Sequence, residues 1–140
     1  MTRLLRALTV ASLGVLTACT ESIDAPTWPT LLELSTISFS GSLTIGAARF
    51  YSFTVREAGS MTATLASVTL PSGAAVPTVM GLGIGIPRGT GCGLTTRVDT
   101  AARLTSQLES PVSPGIYCVE VADVGNLTGP VNFAVRFSHP

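Results

Sequence analysis

Few residues of this chain are equipped for chemistry. It has one histidine, His139, and three cysteines, Cys19, Cys92 and Cys118. A Ser-His-Asp arrangement needs an imidazole held on both sides. A penultimate residue is predicted to lack that hold, so His139 is assigned no catalytic role and no enzyme activity is expected. Cys92 and Cys118 cannot supply the four ligands of a structural zinc site. The carboxylates Asp99, Glu109, Glu120 and Asp123 are scattered along the chain. Glu120 and Asp123 could meet near a strand end, but two carboxylates are few for the oxygen shell of calcium. They read as surface charge, and no metal site is predicted. Gly81, Gly83, Gly85, Gly89, Gly91 and Gly93 do not form G-x-G-x-x-G, and a chain without lysine has no P-loop. These glycines are predicted to leave room where a sheet, a loop or a disulfide packs closely. No cofactor is implied.

Cys19 is placed differently from the other two. The chain opens with MTRLLR, then ALTVASLGVL over residues 7–16 without a charge. That is the order of a secretory signal, a positive start before an apolar segment. The apolar run is half of the roughly 20 residues a spanning helix needs, which argues for a cleaved signal over an uncleaved anchor. Leu16-Thr17-Ala18-Cys19 then resembles the bacterial lipobox. The resemblance implies a diacylglyceryl group on the Cys19 thiol, cleavage before Cys19, and acylation of the new amino group. Two or three acyl chains hold a protein on a bilayer where one holds it marginally. The organisation expected is a signal over 1–18, a tether over 19–35 and a domain over 36–140. Position 20 is Thr and not Asp, which implies the outer membrane over the inner one where a cell has both. Trp28, between Pro26 and Pro29, is expected to pack on the first strand.

With Cys19 lipidated, an exported chain is expected to pair Cys92 with Cys118. Cys118 falls in a predicted strand and Cys92 in the glycine-rich stretch RGTGCGLTTR, read as a loop that swings to meet it. The eight basic residues are all arginine, and eight acids balance them. No basic patch suggests nucleic acid.

The elements that would carry these residues read as strands. From residue 37 onward, short apolar alternations are broken by Gly, Pro and Ser, the pattern of an all-β sandwich. Strands are predicted over 37–46, 49–57, 60–70, 79–87, 102–108, 115–123 and 130–138. In 79–87, Met80, Leu82, Ile84 and Ile86 occupy one face and the glycines the other. In 115–123, Tyr117, Val119 and Val121 point inward and Cys118 and Glu120 outward. Residues 98–109 also permit a short helix from an Asp99 cap, but the Thr and Ser content favours a strand. The fold class expected is a single jelly-roll-like or immunoglobulin-like antiparallel sandwich of two sheets and about seven or eight strands.

FSGSLTIGAARFYSFTVREAGSMTATL and SPGIYCVEVAD resemble strands of the bacterial pre-peptidase C-terminal domain, and the likeness spans roughly residues 38–137. The aspartate-bearing central strand of that family is replaced here by MGLGIGIP. The resemblance implies a jelly-roll-like accessory, binding or anchoring module. The function expected is a lipid-anchored envelope module that binds a glycan, a wall polymer or a protein through its loops. The stretches 88–95 and 109–115 are the candidate loops. The alternative is a structural envelope lipoprotein without a small ligand. An exposed aromatic patch would favour the first reading.

Overall fold

The computed structural model describes residues 33–140. Cys19, the residues that resemble a lipobox, Trp28 and nearly all of the tether lie outside the described residues. Eight strands follow: β1 (Ser35–Leu43), β2 (Ala48–Val55), β3 (Gly59–Thr69), β4 (Val79–Arg88), β5 (Gly91–Ala101), β6 (Leu108–Val112), β7 (Gly115–Asp123) and β8 (Val131–His139). They form two four-stranded sheets, β1-β8-β3-β6 and β2-β7-β4-β5, and every strand pairing is antiparallel. The expected all-β two-sheet sandwich is therefore present, in the strand order of a jelly roll.

Period-two alternation builds the core. Met80, Leu82 and Ile84 of β4 face Leu65, Val135 and their neighbours across the sandwich, and all five are fully buried. Val119 and Val121 complete the same layer from β7. An aromatic stack runs through it. Phe39 lies flat on Tyr51 at 4.2 Å between ring centroids, and Phe53 meets Phe137 at 4.2 Å. Offset pairs of this kind add to the area they remove from water.

Three sequence expectations are corrected. Residues 102–108 do not form a strand, nor does a helix start at Asp99. Asp99 lies within β5, residues 102–107 cross from one sheet to the other, and β6 begins at Leu108. Leu104, in the middle of that stretch, is 81% exposed. The physical reason is Gln107. Its side-chain Oε1 accepts from Leu65 N at 2.7 Å and its Nε2 donates to Leu65 O at 3.3 Å. The amide side chain thus stands in for a strand along β3 beyond the last β6 pair, Ala63 with Leu108. The stretch 88–95 is not a loop either. Only Gly89 and Thr90 form the turn, with Gly89 at φ 56°, and β5 starts at Gly91. A positive φ at the first of two turn residues suits a glycine and closes a tight hairpin. Likewise, most of 109–115 belongs to β6, leaving a turn at Ser113 and Pro114.

The strand register gives the sandwich two poles. The chain enters at Ser35, opposite His139, beside turns 56–58, 89–90 and 113–114. The opposite pole carries turn 44–47 and the longer loops 70–78 and 124–130.

Candidate functional site

The two long loops enclose an open cleft of about 540 Å³. Leu70, Val76, Pro77, Leu127 and Pro130 supply its apolar wall, and Ser72, Thr78, Asn126 and Thr128 place polar groups along it. Leu70 is 43% exposed. Both loops are fixed by hydrogen bonds. In the first, Leu70 N donates to Ala74 O and Gly73 N to Leu70 O, each at 2.8 Å, and Val76 N donates to Val68 O at 3.0 Å. In the second, the Asp123 carboxylate organises the backbone. Its Oδ1 accepts from Gly125 N, Asn126 N and Leu127 N, and its Oδ2 from Gly46 N at 2.8 Å. An aspartate that accepts from the following backbone is a turn-forming device. The Gly46 amide and then those of the 125–127 turn hold the Asp123 carboxyl below its usual pKa of 3.8. Asn126 Nδ2 donates to Val79 O at 3.1 Å and ties the loop to β4. The cleft is thus pre-formed, as small recognition sites generally are.

Glu120 and Asp123 do not come together as a cation site. Every Asp123 oxygen is engaged by backbone amides, while Glu120 lies on the outer face of β7 toward Arg97. Desolvation raises the Glu120 pKa above 4.5, and the Arg97 charge offsets part of that rise. Among the described residues no group of three or more His, Cys, Asp or Glu converges as metal ligands would.

The expected cysteine pair does form. Cys92 and Cys118 are joined by a disulfide with 5.9 Å between their Cα atoms. Cys92 lies in strand β5, not in a loop, which corrects the swinging-loop reading. The two strands are not neighbours, because β4 lies between them. Two sheet spacings would separate them by about 9.5 Å. The gap closes because β5 crosses over β4. The register shifts between Ile84 and Gly85, leaving Thr95 as an extra residue, and Thr95 Oγ1 donates to Ile84 O at 3.1 Å. A bulge bends a strand, and here it lays the β5 arm over the outward faces of Gly83 and Gly85. A Cβ at Gly83 would strike the Leu94 side chain, and one at Gly85 would run into the Gly93 carbonyl. The glycines of β4 therefore make room for close packing, as their composition suggested.

His139 is fixed more firmly than its place in the chain suggested, which corrects that expectation. It is 5% exposed, stacked on Phe53 at 5.3 Å, and its Nδ1 lies 2.8 Å from Pro140 O. Its Nε2 has no partner among the described residues. The ring lies beside a second cleft of about 420 Å³ at the entry pole, with Glu33, Arg56 and Glu57 on its rim. Neither ring nitrogen is bonded to a hydroxyl or carboxylate side chain among the described residues.

The candidate stretches 88–95 and 109–115 lie at the entry pole and do not line the larger cleft. Among the described residues no aromatic side chain lines that cleft either. Six of the aromatic rings, Phe39, Tyr51, Phe53, Tyr117, Phe133 and Phe137, pack in or against the core. No family model matches the chain, and no curated protein matches it.

Proposed function

We propose that the protein is an exported lipoprotein, held on the cell envelope through acylated Cys19, whose sandwich is an accessory module that binds a protein partner. The observation that carries this reading is the cleft between loops 70–78 and 124–130. It lies on the pole opposite the one where the chain enters at Ser35, so a domain tethered from its N-terminal side presents it outward. Its wall is aliphatic and prolyl, with a few hydroxyl and amide groups. Such a wall suits an extended apolar peptide segment. Sugar rings are usually gripped by aromatic faces, and among the described residues the cleft has none, which favours a peptide over a glycan or wall polymer. The accessory role agrees with what the pre-peptidase C-terminal resemblance implies.

Thermal melting of the oxidised fragment Thr20–Pro140 tests the reading. Ligands that bind the native state raise its melting temperature by mass action. Extended apolar peptides should give a saturable rise that Leu70→Asp removes without lowering the melting temperature of the free protein. Peptidoglycan fragments, other glycans and calcium should have no effect. A rise with glycans alone would overturn the choice of ligand, and a flat response in every arm would favour the purely structural role. The anchor has its own test: Cys19→Ser should abolish fatty-acid incorporation in the bacterial cell.

A further inference from the structure

The sheet β2-β7-β4-β5 ends on β5, and among the described residues no backbone group pairs with the outer edge of that strand. Two contacts establish which of its groups face outward. Asn126, just past β7, donates to Val79 O, so Val79 turns its backbone toward β7. Thr95 of β5 donates to Ile84 O, so Ile84 turns toward β5. Backbone direction alternates along a strand, and both contacts agree that Met80, Leu82 and Ile84 address β5. Leu82 pairs with Val98 and Met80 with Thr100. Val98 and Thr100 therefore direct their N–H and C=O groups to β4, while Arg97 and Asp99 present theirs at the open edge.

The same two residues carry opposite charges. Their side chains share the outer face, joined at 3.0 Å, and are 45% and 54% exposed. An antiparallel pairing with a second copy places residues of one face opposite each other, so its two-fold axis passes through a residue. An axis through Arg97 or Asp99 sets like charges opposite. An axis through Val98 sets Arg97 opposite the partner's Asp99 and Asp99 opposite the partner's Arg97. In that register the outward N–H and C=O groups of each such pair also meet, as in a hydrogen-bonded antiparallel pair. The other sheet edges are less suited. β6 is short and contains Pro111, the Ser40 carbonyl of β1 is taken by Tyr51, and β2 carries a single charge, Arg49. Prolines and short edges are ways in which proteins blunt edge pairing.

From this geometry we infer that the protein self-associates through β5, with two copies joined antiparallel about Val98 into one continuous eight-stranded sheet. The bulge at Thr95 and the arm over β4 limit the paired run to the segment around Val98. A run that short gives a small interface and a reversible dimer.

Sedimentation velocity on the fragment Thr20–Pro140, which contains every described strand and the whole core cluster, tests this. The wild-type fragment should show a concentration-dependent dimer that weakens with added salt. Asp99→Arg and Arg97→Asp should each raise the dissociation constant at least about tenfold, because like charges then lie opposite. Mixed in equal amounts, the two variants should associate again, one bringing only arginines to the pairing and the other only aspartates. A wild-type fragment that stays monomeric to millimolar concentration overturns the inference. So does a dimer indifferent to Asp99→Arg, a change at an exposed side chain that carries the test alone if Arg97→Asp fails to fold. Failure of the folded variants to associate on mixing overturns the charge register.

Discussion

Opening the Cys92–Cys118 link and crowding Gly85 should not destabilise the domain independently. The disulfide closes a loop of 26 residues, which in the chain-entropy model is worth about 3.5 kcal/mol. Cys92→Ala with Cys118→Ala should therefore lower stability by about that amount, or the melting temperature by roughly 14 °C at about 4 °C per kcal/mol. A Cβ at Gly85 would collide with the Gly93 carbonyl and lie 2.8 Å from the Leu94 Cα, both backbone atoms that no rotamer change can move. The β5 arm must lift to admit it. With the disulfide closed, lifting pulls on Cys118 in an inner strand, so Gly85→Ala should cost about 3 kcal/mol, the upper range for overpacking. With the disulfide removed, the arm lifts freely and the same change should cost about 1 kcal/mol. The coupling expected is about 2 kcal/mol, readable from urea unfolding of the four proteins of a double-mutant cycle. If the two perturbations add to within about 0.5 kcal/mol, the crossing of β5 over Gly85 is not what holds the arm, and the reasoning fails.

Other outcomes follow from the same contacts. Gln107→Ala leaves the buried Leu65 N–H without its acceptor, while Leu65 O keeps Arg103 N as a donor, and should lower stability by about 2 kcal/mol while speeding hydrogen exchange at the Leu65 amide. Asp123 has a folded pKa below its ordinary 3.8. Its contribution is thus present above pH 3.8 and lost as the pH falls through the folded value. Asp123→Asn should flatten that acid limb in pH-dependent unfolding. Glu120 has a folded pKa above 4.5, so its contribution is present below pH 4.5 and lost as the pH rises through the folded value. Glu120→Gln should make stability less dependent on pH above 4.5, measured by urea midpoints from pH 4 to 8.

The strands that the sequence revealed are those with one wholly apolar face. Val131, Phe133, Val135 and Phe137 announce β8, and Met80, Leu82 and Ile84 announce β4. Carrying the β8 alternation one step further would have placed His139 inside the core, but its position near the chain end argued the other way. β5 was hidden because it is an edge strand whose run, GCGLTTRVDTA, mixes glycine, threonine and charge on both faces. The stretch 102–108, read as a strand, misled for the opposite reason, since most of it crosses between sheets and Leu104 meets solvent. The Cys92–Cys118 pair was legible from counting. The route by which it closes depends on a bulge at Thr95 that no spacing announces. The cleft was not legible, because its walls come from loops about fifty residues apart that only the strand order brings together. The Asp123-Val124-Gly125-Asn126 turn that stiffens one wall did carry a local signal.

The pairing of β1 with β8 has a consequence in time. Ser35 is matched to His139 and Leu43 to Val131, so the first strand to emerge waits for the last one. β8 also separates β1 from β3, so that sheet has no β1–β3 precursor to assemble while β8 is missing. A chain made or delivered from its N-terminal end keeps β1 unpaired until nearly the whole domain has arrived. Contacts that span so much sequence slow folding. The sheet β1-β8-β3-β6 is thereby built to close late, and a chain cut short within β8 should lack the strand that joins β1 to β3.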